Sequence, residues 1–87
     1  PPLLDMRRAA AVNHYAEIIR HYGEALGVRV ARKHLAAYAD YELVGLSGGD
    51  LVDLRARLCR SIDPAEALAL LDRLYTSVAE TGFASAA

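Results

Sequence analysis

Hydrophobic residues recur along this chain at intervals of three and four, and glycine or proline separates the segments in which they do so. This spacing places apolar side chains on one face of an α-helix, because the helix turns by about 100° per residue. The first segment shows the pattern most clearly, in a set of residues on one arc: Ala11, Val12, Tyr15, Ile18, Ile19 and Tyr22. No segment requires a strand to account for its pattern. The sequence therefore predicts an all-α protein.

Start and stop signals divide the chain into four predicted helices, over residues 6–22, 24–41, 50–60 and 64–80. Gly23 and Gly82 are the expected ends of the first and last helices, because glycine readily adopts the backbone conformation that terminates a helix. The connections between the helices are short. We therefore expect a single domain over residues 1–87, folded as a small antiparallel four-helix bundle.

Individual residues predict local details of these helices. Asp5 and Asp63 are the expected N-caps of the first and last helices, and Glu66 completes a capping-box pattern in the last one. Gly27 lies near the start of the second helix. Because glycine has no side chain, Gly27 should let another helix or the backbone of a ligand approach closely.

The composition limits the environment and the partners of the chain. Its formal net charge is −1, but residues 1–60 carry nine Arg or Lys against seven Asp or Glu. The single cysteine, Cys59, excludes an internal disulfide framework and suits a reducing, cytoplasmic environment. No apolar run approaches the ~20 residues that a membrane-spanning helix needs. We therefore expect no membrane partner.

No arrangement of residues in the sequence suggests catalysis. The three histidines are His14, His21 and His34, and the first two are seven residues apart, which is too far along one helix for a shared metal ion. Cys59 has no histidine near it in the sequence, and no glycine-rich phosphate loop follows a strand. We therefore expect no catalytic residue, no metal and no cofactor in this chain.

The densest group of cations lies in the second predicted helix. This group and Arg55 of the third predicted helix are the candidate RNA-binding residues. They are Arg29, Arg32, Lys33, His34 and Arg55. The first three share a helix face, because positions i, i+3 and i+4 are neighbours. Two interpretations fit this pattern. The cations contact nucleic-acid phosphates, or they form a solvated face that pairs with Asp40 or with acidic residues of the fourth helix.

The same stretch belongs to a longer pattern with a recognisable spacing, formed by His14-Tyr15, Tyr22-Gly23, Gly27, Arg29, Ala31-Arg32-Lys33-His34 and Tyr38. This pattern resembles the signature of the C-terminal helical domain of bacterial tRNA-dihydrouridine synthases of the DusB type. The resemblance covers about residues 1–78 and is most specific between residues 22 and 38. One departure is Ala37, where the family usually has tryptophan.

The resemblance implies a longer parent enzyme, in which a catalytic barrel binds FMN and uses NADPH to reduce a uridine in tRNA. The barrel is absent from this chain, so FMN and NADPH would belong to the missing domain. The helical domain would hold the tRNA, and the resemblance assigns a role at the RNA backbone to Arg29, Arg32, Lys33 and His34. The expected partners are therefore tRNA and the catalytic barrel.

A protein-interaction or purely structural role is the alternative. In that case the cations pack against an acidic surface, either of the catalytic barrel or of a second copy of the chain. A detached bundle also exposes the apolar surface that a neighbouring domain would cover, and a weak homodimer would then form through that surface.

Overall fold

The computed structural model describes residues 3–86, with side chains as far as Thr81. Four helices account for most of this part of the chain: α1 (Leu4–Tyr22), α2 (Glu24–Glu42), α3 (Gly49–Arg60) and α4 (Pro64–Ala86). No strand occurs between residues 3 and 86. The predicted all-α class is confirmed. Residues 1, 2 and 87 of the predicted domain lie outside the described residues.

A single residue, Gly23, joins α1 to α2. Its φ of 80° favours glycine, and its backbone N–H donates to the carbonyl of Ile19 at 2.8 Å, which closes α1. Gly27 then lies directly against α1. A Cβ added at Gly27 would stand 2.9 Å from Ile19 Cδ1 and 3.0 Å from Ile19 Cα. The close approach predicted at Gly27 is confirmed.

The four helices enclose one hydrophobic core. α2 packs on α1, α3 and α4, and α4 also packs on α1 and α3, whereas α1 and α3 do not meet within the described part of the chain. The start of α3 lies beside residues 77–81 of α4, so these two helices are antiparallel, as α1 and α2 are. The largest fully buried side chains are Tyr15, Leu35, Leu58, Leu71 and Leu74. The small helical bundle is confirmed.

The helix ends differ from the prediction at several places. α1 begins before Asp5, so Asp5 lies in the first turn and the N-cap position falls on Leu3, which makes no side-chain cap bond. α2 includes one further residue, Glu42. α4 continues through Gly82 to Ala86, so the predicted end near residue 80 is wrong. A glycine within a helix costs only about 1 kcal/mol relative to alanine, which the surrounding helix tolerates.

The cap of α4 is the best-predicted end. The backbone N–H of Ala65 donates to Asp63 Oδ1 at 3.2 Å, which confirms Asp63 as the N-cap. Glu66 was expected to bond the backbone N–H of Asp63. That N–H instead donates to Ser61 Oγ at 3.4 Å. Tyr22, predicted on the buried arc of α1, is 45% exposed because it is the last residue of the helix.

Replacing Gly27 by alanine is expected to lower the free energy of unfolding by about 1 kcal/mol, measured by urea denaturation. Crowding against the backbone of α1 costs about 1–3 kcal/mol, and alanine recovers about 1 kcal/mol of helix propensity. Gly49→Ala is the matched control, because a Cβ at Gly49 meets nothing within 4 Å. The control should leave the protein equally stable or slightly more stable. Equal losses in the two variants would contradict the close approach of α1 and α2.

Candidate nucleic-acid interface

The structure divides the five candidate RNA-binding residues among three places. Arg29 and Lys33 are exposed on α2 and Arg32 is half-buried beside them, and we call these three the cationic stripe. His34 lies roughly 160° from Arg32 around the helix and faces α1, where its ring contacts His14. Arg55 belongs to α3 and faces the end of α2. The predicted residues therefore form one cationic stripe on α2, and His34 and Arg55 lie apart from it.

Arg55 has an acidic partner. Its Nε and Nη2 donate to the two carboxylate oxygens of Asp40 at 2.7 and 3.2 Å. This hydrogen bonding lowers the pKa of Asp40 and raises that of Arg55. Because a paired carboxylate offsets the guanidinium charge, Arg55 offers less attraction to a phosphate than an unpaired arginine does. An RNA-binding role for Arg55 stays a prediction.

None of the three stripe residues forms an ion pair with another described residue. Asp40 pairs with Arg55, and Asp72 on α4 pairs with Arg8 on α1 at 3.3 Å. The acids that were expected to neutralise the stripe therefore have other partners or stand apart from it. The second interpretation expected the stripe to pair with Asp40 or with acidic residues of α4, and the structure shows no such pair among the described residues.

Arg32 differs from its two neighbours in the stripe. Its Nε is buried and has no hydrogen-bond partner among the described residues. Buried polar groups are nearly always hydrogen-bonded, because an unmade bond leaves the cost of desolvation uncompensated. The guanidinium can donate only, so its natural complement is a carbonyl, carboxylate or phosphate oxygen.

His14, His34 and Tyr38 form a polar aromatic cluster between α1 and α2. The rings of His14 and His34 meet edge to face at a centroid distance of 4.7 Å, and His14 Nδ1 is hydrogen-bonded to the Tyr38 hydroxyl. Burial, followed by the charges of His14 and Lys33, lowers the pKa of His34. Burial also raises the pKa of Tyr38. From the sequence, His14 was considered only as a metal ligand and His34 was assigned to the RNA backbone, although the signature spacing already grouped all three residues.

A second polar cluster joins three helices and was missed from the sequence. Arg7 of α1 donates to both carboxylate oxygens of Glu42 at 2.9 and 3.1 Å, and the Glu42 side chain is only 4% exposed. The Tyr75 hydroxyl of α4 also bonds Glu42, and burial together with this carboxylate raises the pKa of Tyr75 to about 12. The available signal was the spacing of Leu35, Ala39 and Glu42 at i, i+4 and i+7, which continues the buried face of α2.

Two shallow grooves flank the histidine cluster. The first, the tyrosine groove, has a volume of about 360 Å³ and is lined by Ala10, His14, Tyr38, Tyr41, Tyr75 and the Arg7–Glu42 pair. The second, the histidine groove, has a volume of about 350 Å³ and includes His14, Glu17, His21, Val30, Lys33 and His34 in its lining. His14 lines both grooves, so they adjoin. Ala37, which replaces the tryptophan of the family signature, is exposed and takes no part in the core.

The described residues contain neither a metal site nor a helix that could span a membrane. No three His, Cys, Asp or Glu side chains in residues 3–81 stand close enough to hold a metal ion. In the same part of the chain, no helix is both long enough and apolar enough to cross a membrane.

Three curated proteins are similar to this chain, and all three are named as probable tRNA-dihydrouridine synthases. The protein from Rhodobacter capsulatus is 43% identical over 63 residues, which cover 72% of the chain and 17% of the relative. That from Rhizobium leguminosarum is 40% identical over 65 residues, covering 75% and 18%. That from Rickettsia conorii is 35% identical over 68 residues, covering 78% and 19%.

The chain is similar to a segment of tRNA-dihydrouridine synthases. It spans less than a fifth of the length of these relatives. No family model and no solved structure matches it. The comparisons bear out the resemblance to this group of enzymes that the signature residues indicated.

The lowered pKa of His34 predicts a pH-dependent stability. Because the folded state resists protonation of His34, it binds fewer protons than the unfolded state below the ordinary value of 6.5. The free energy of unfolding should therefore decrease as the pH falls from 7 to about 5. Asp40 also has a lowered pKa, but its contribution is lost only near and below its ordinary value of 3.8.

Nuclear magnetic resonance titration of the histidine ring protons checks this directly. The midpoint of His34 should be lower in the native protein than in the urea-unfolded chain, and His34→Gln should reduce the loss of stability between about pH 7 and 5. A native midpoint equal to or above the unfolded one would rule out the buried environment of His34.

Proposed function

We propose that this chain is a tRNA-holding helical domain of a tRNA-dihydrouridine synthase, and that the cationic stripe contacts the RNA backbone. The similarity to three enzymes of that name supports the choice of tRNA as partner. On this proposal the reduction of uridine, with FMN and NADPH, takes place in the catalytic barrel of the parent enzyme. The chain itself contributes binding and no catalytic group.

The observation that carries the proposal is the unpaired state of the stripe. Four arginines have acidic partners in the described part of the chain: Arg7, Arg8, Arg20 and Arg55. The three stripe residues have none there, and neither do Arg57, Arg60 and Arg73. The stripe differs from these because three such cations share one helix face. Phosphate oxygens provide both the negative charge and the acceptors that such a surface lacks.

The overall charge indicates how strong this binding should be. With a net charge of −1, the chain has no general attraction for a polyanion. Its affinity for RNA must come from a few local contacts. Such contacts weaken as the salt concentration rises, because binding releases condensed counterions from the RNA and this release is less favourable at high salt. We therefore expect the isolated chain to bind tRNA weakly and mainly at low salt.

A second candidate function is docking on another protein surface, and exposed apolar side chains favour it. Leu3, Met6 and Tyr41 are 72%, 61% and 66% exposed. They lie at the same end of the bundle, because the Arg7–Glu42 pair brings the start of α1 beside the end of α2. The catalytic barrel or a second copy would cover this end. Gel filtration at two protein concentrations tests self-association, and an unchanged monomer would argue against a homodimer.

The primary proposal is tested by titrating unmodified tRNA at low and moderate salt. The double variant Arg32→Ala/Lys33→Ala should bind more weakly, and its plot of log affinity against log salt should be flatter by about one unit per lost phosphate contact. The loss should be similar for unrelated RNA sequences, because backbone contacts carry no sequence information.

The matched control is Arg57→Ala/Arg73→Ala, which removes the same charge from exposed positions on α3 and α4. This control should retain most of the affinity and the salt slope of the original protein. If the two double variants lose affinity equally, binding depends on overall charge and not on the stripe. If the stripe variant binds as well as the original chain, the proposed interface is wrong.

A further inference from the structure

The tyrosine groove and the histidine groove adjoin on the surface formed largely by α1 and α2, and Lys33 connects this surface to the cationic stripe. We propose that the two grooves bind one unstacked nucleotide of an RNA chain, with the base in the tyrosine groove and its phosphate beside Lys33. The inference deepens the proposed function and rests on it for the choice of RNA as partner. It adds a base-holding site to a surface that otherwise recognises only backbone.

The tyrosine groove offers aromatic surface to a flat ligand. Tyr41 is 66% exposed, and Tyr38, Tyr75 and His14 contribute to the same lining. The volume of about 360 Å³ lies within the usual range for small-molecule sites. Proteins commonly hold unstacked bases against tyrosine and histidine rings, because every base has a π-face.

The polar groups of the tyrosine groove are already engaged with one another. Arg7 and Glu42 form a two-pronged ion pair, the Tyr75 hydroxyl bonds Glu42, and the Tyr38 hydroxyl bonds His14. A ligand therefore gains mainly stacking and apolar contact here, and few hydrogen bonds to its edge. We expect little preference among the four bases, since stacking tolerates all of them.

The histidine groove supplies the charge that a nucleotide requires. Lys33, exposed at its edge, carries this charge, whereas His34 in the same lining resists protonation. Its one acid, Glu17, bonds Arg20 at 3.3 Å, so this carboxylate opposes a bound phosphate less than an unpaired one would. An apolar protein surface would suit the tyrosine groove but not this cationic neighbour. A nucleotide combines an apolar face with an anionic group and so complements both grooves.

The probe is a four-residue uridine oligonucleotide, added at low salt while the tyrosine and histidine ring resonances are followed. Binding should shift the resonances of Tyr41, His14 and His34 together. Tyr41→Ala should weaken the affinity for the oligonucleotide about tenfold, the size expected for losing one stacking contact. Tyr41→Phe keeps the aromatic ring and should bind within about twofold of the original chain.

Ile62→Ala is the control for loss of an exposed apolar side chain, because Ile62 is 71% exposed and lies between α3 and α4. It should not change the affinity. Binding of tRNA that depends on the stripe but not on Tyr41 would overturn the nucleotide site and leave the proposed function standing. Absence of binding to both tRNA and the oligonucleotide would overturn both. Loss of self-association in Tyr41→Ala, with oligonucleotide affinity unchanged, would instead assign the groove to a second copy.

Discussion

The contact between α1 and α2 is the constraint on which the rest of this structure depends. A one-residue connection at Gly23 reverses the chain, and the missing side chain of Gly27 lets the two helix backbones meet. Because Gly23 fixes this end of the hairpin, residues progressively further along α2 lie opposite residues progressively closer to the start of α1. This register places His34 against His14 and Glu42 against Arg7. Both grooves are consequences of that pairing.

The opposite end of the hairpin is held by a different interaction. A carboxylate as buried as that of Glu42 is tolerated only when it is paired and hydrogen-bonded, and Arg7 and Tyr75 meet that requirement from two other helices. A slip of either helix along its axis would leave Glu42 buried without its partners. The apolar core stabilises the bundle as a whole, whereas this cluster opposes specific misalignments of α1, α2 and α4.

The sequence predicted some features that depend on neighbouring residues, although Asp5, Glu66 and Gly82 did not behave as expected, and it missed the ion pairs between distant residues. The Asp63 cap and the reversal at Gly23 arise within a few residues, so local patterns sufficed. The Arg55–Asp40 pair joins residues fifteen positions apart, and the Arg7–Glu42 pair joins residues thirty-five apart. No periodicity specifies which arginine reaches which acid. The cationic stripe was visible because it lies on one helix, but its lack of acidic partners became apparent only in three dimensions.

Three ion pairs join different helices of the bundle. They link α1 to α2, α1 to α4 and α2 to α3, so two of them also hold α2, the helix that carries the stripe, in place. The three cations of the stripe give modest affinity by themselves. On the proposed function, the catalytic barrel of the parent enzyme makes its own contacts to tRNA. Because the helical domain is linked to the barrel, its binding to the same tRNA is then intramolecular, so a weak site acts at a high effective concentration. A surface with little net charge then avoids holding RNA that the catalytic barrel has not engaged.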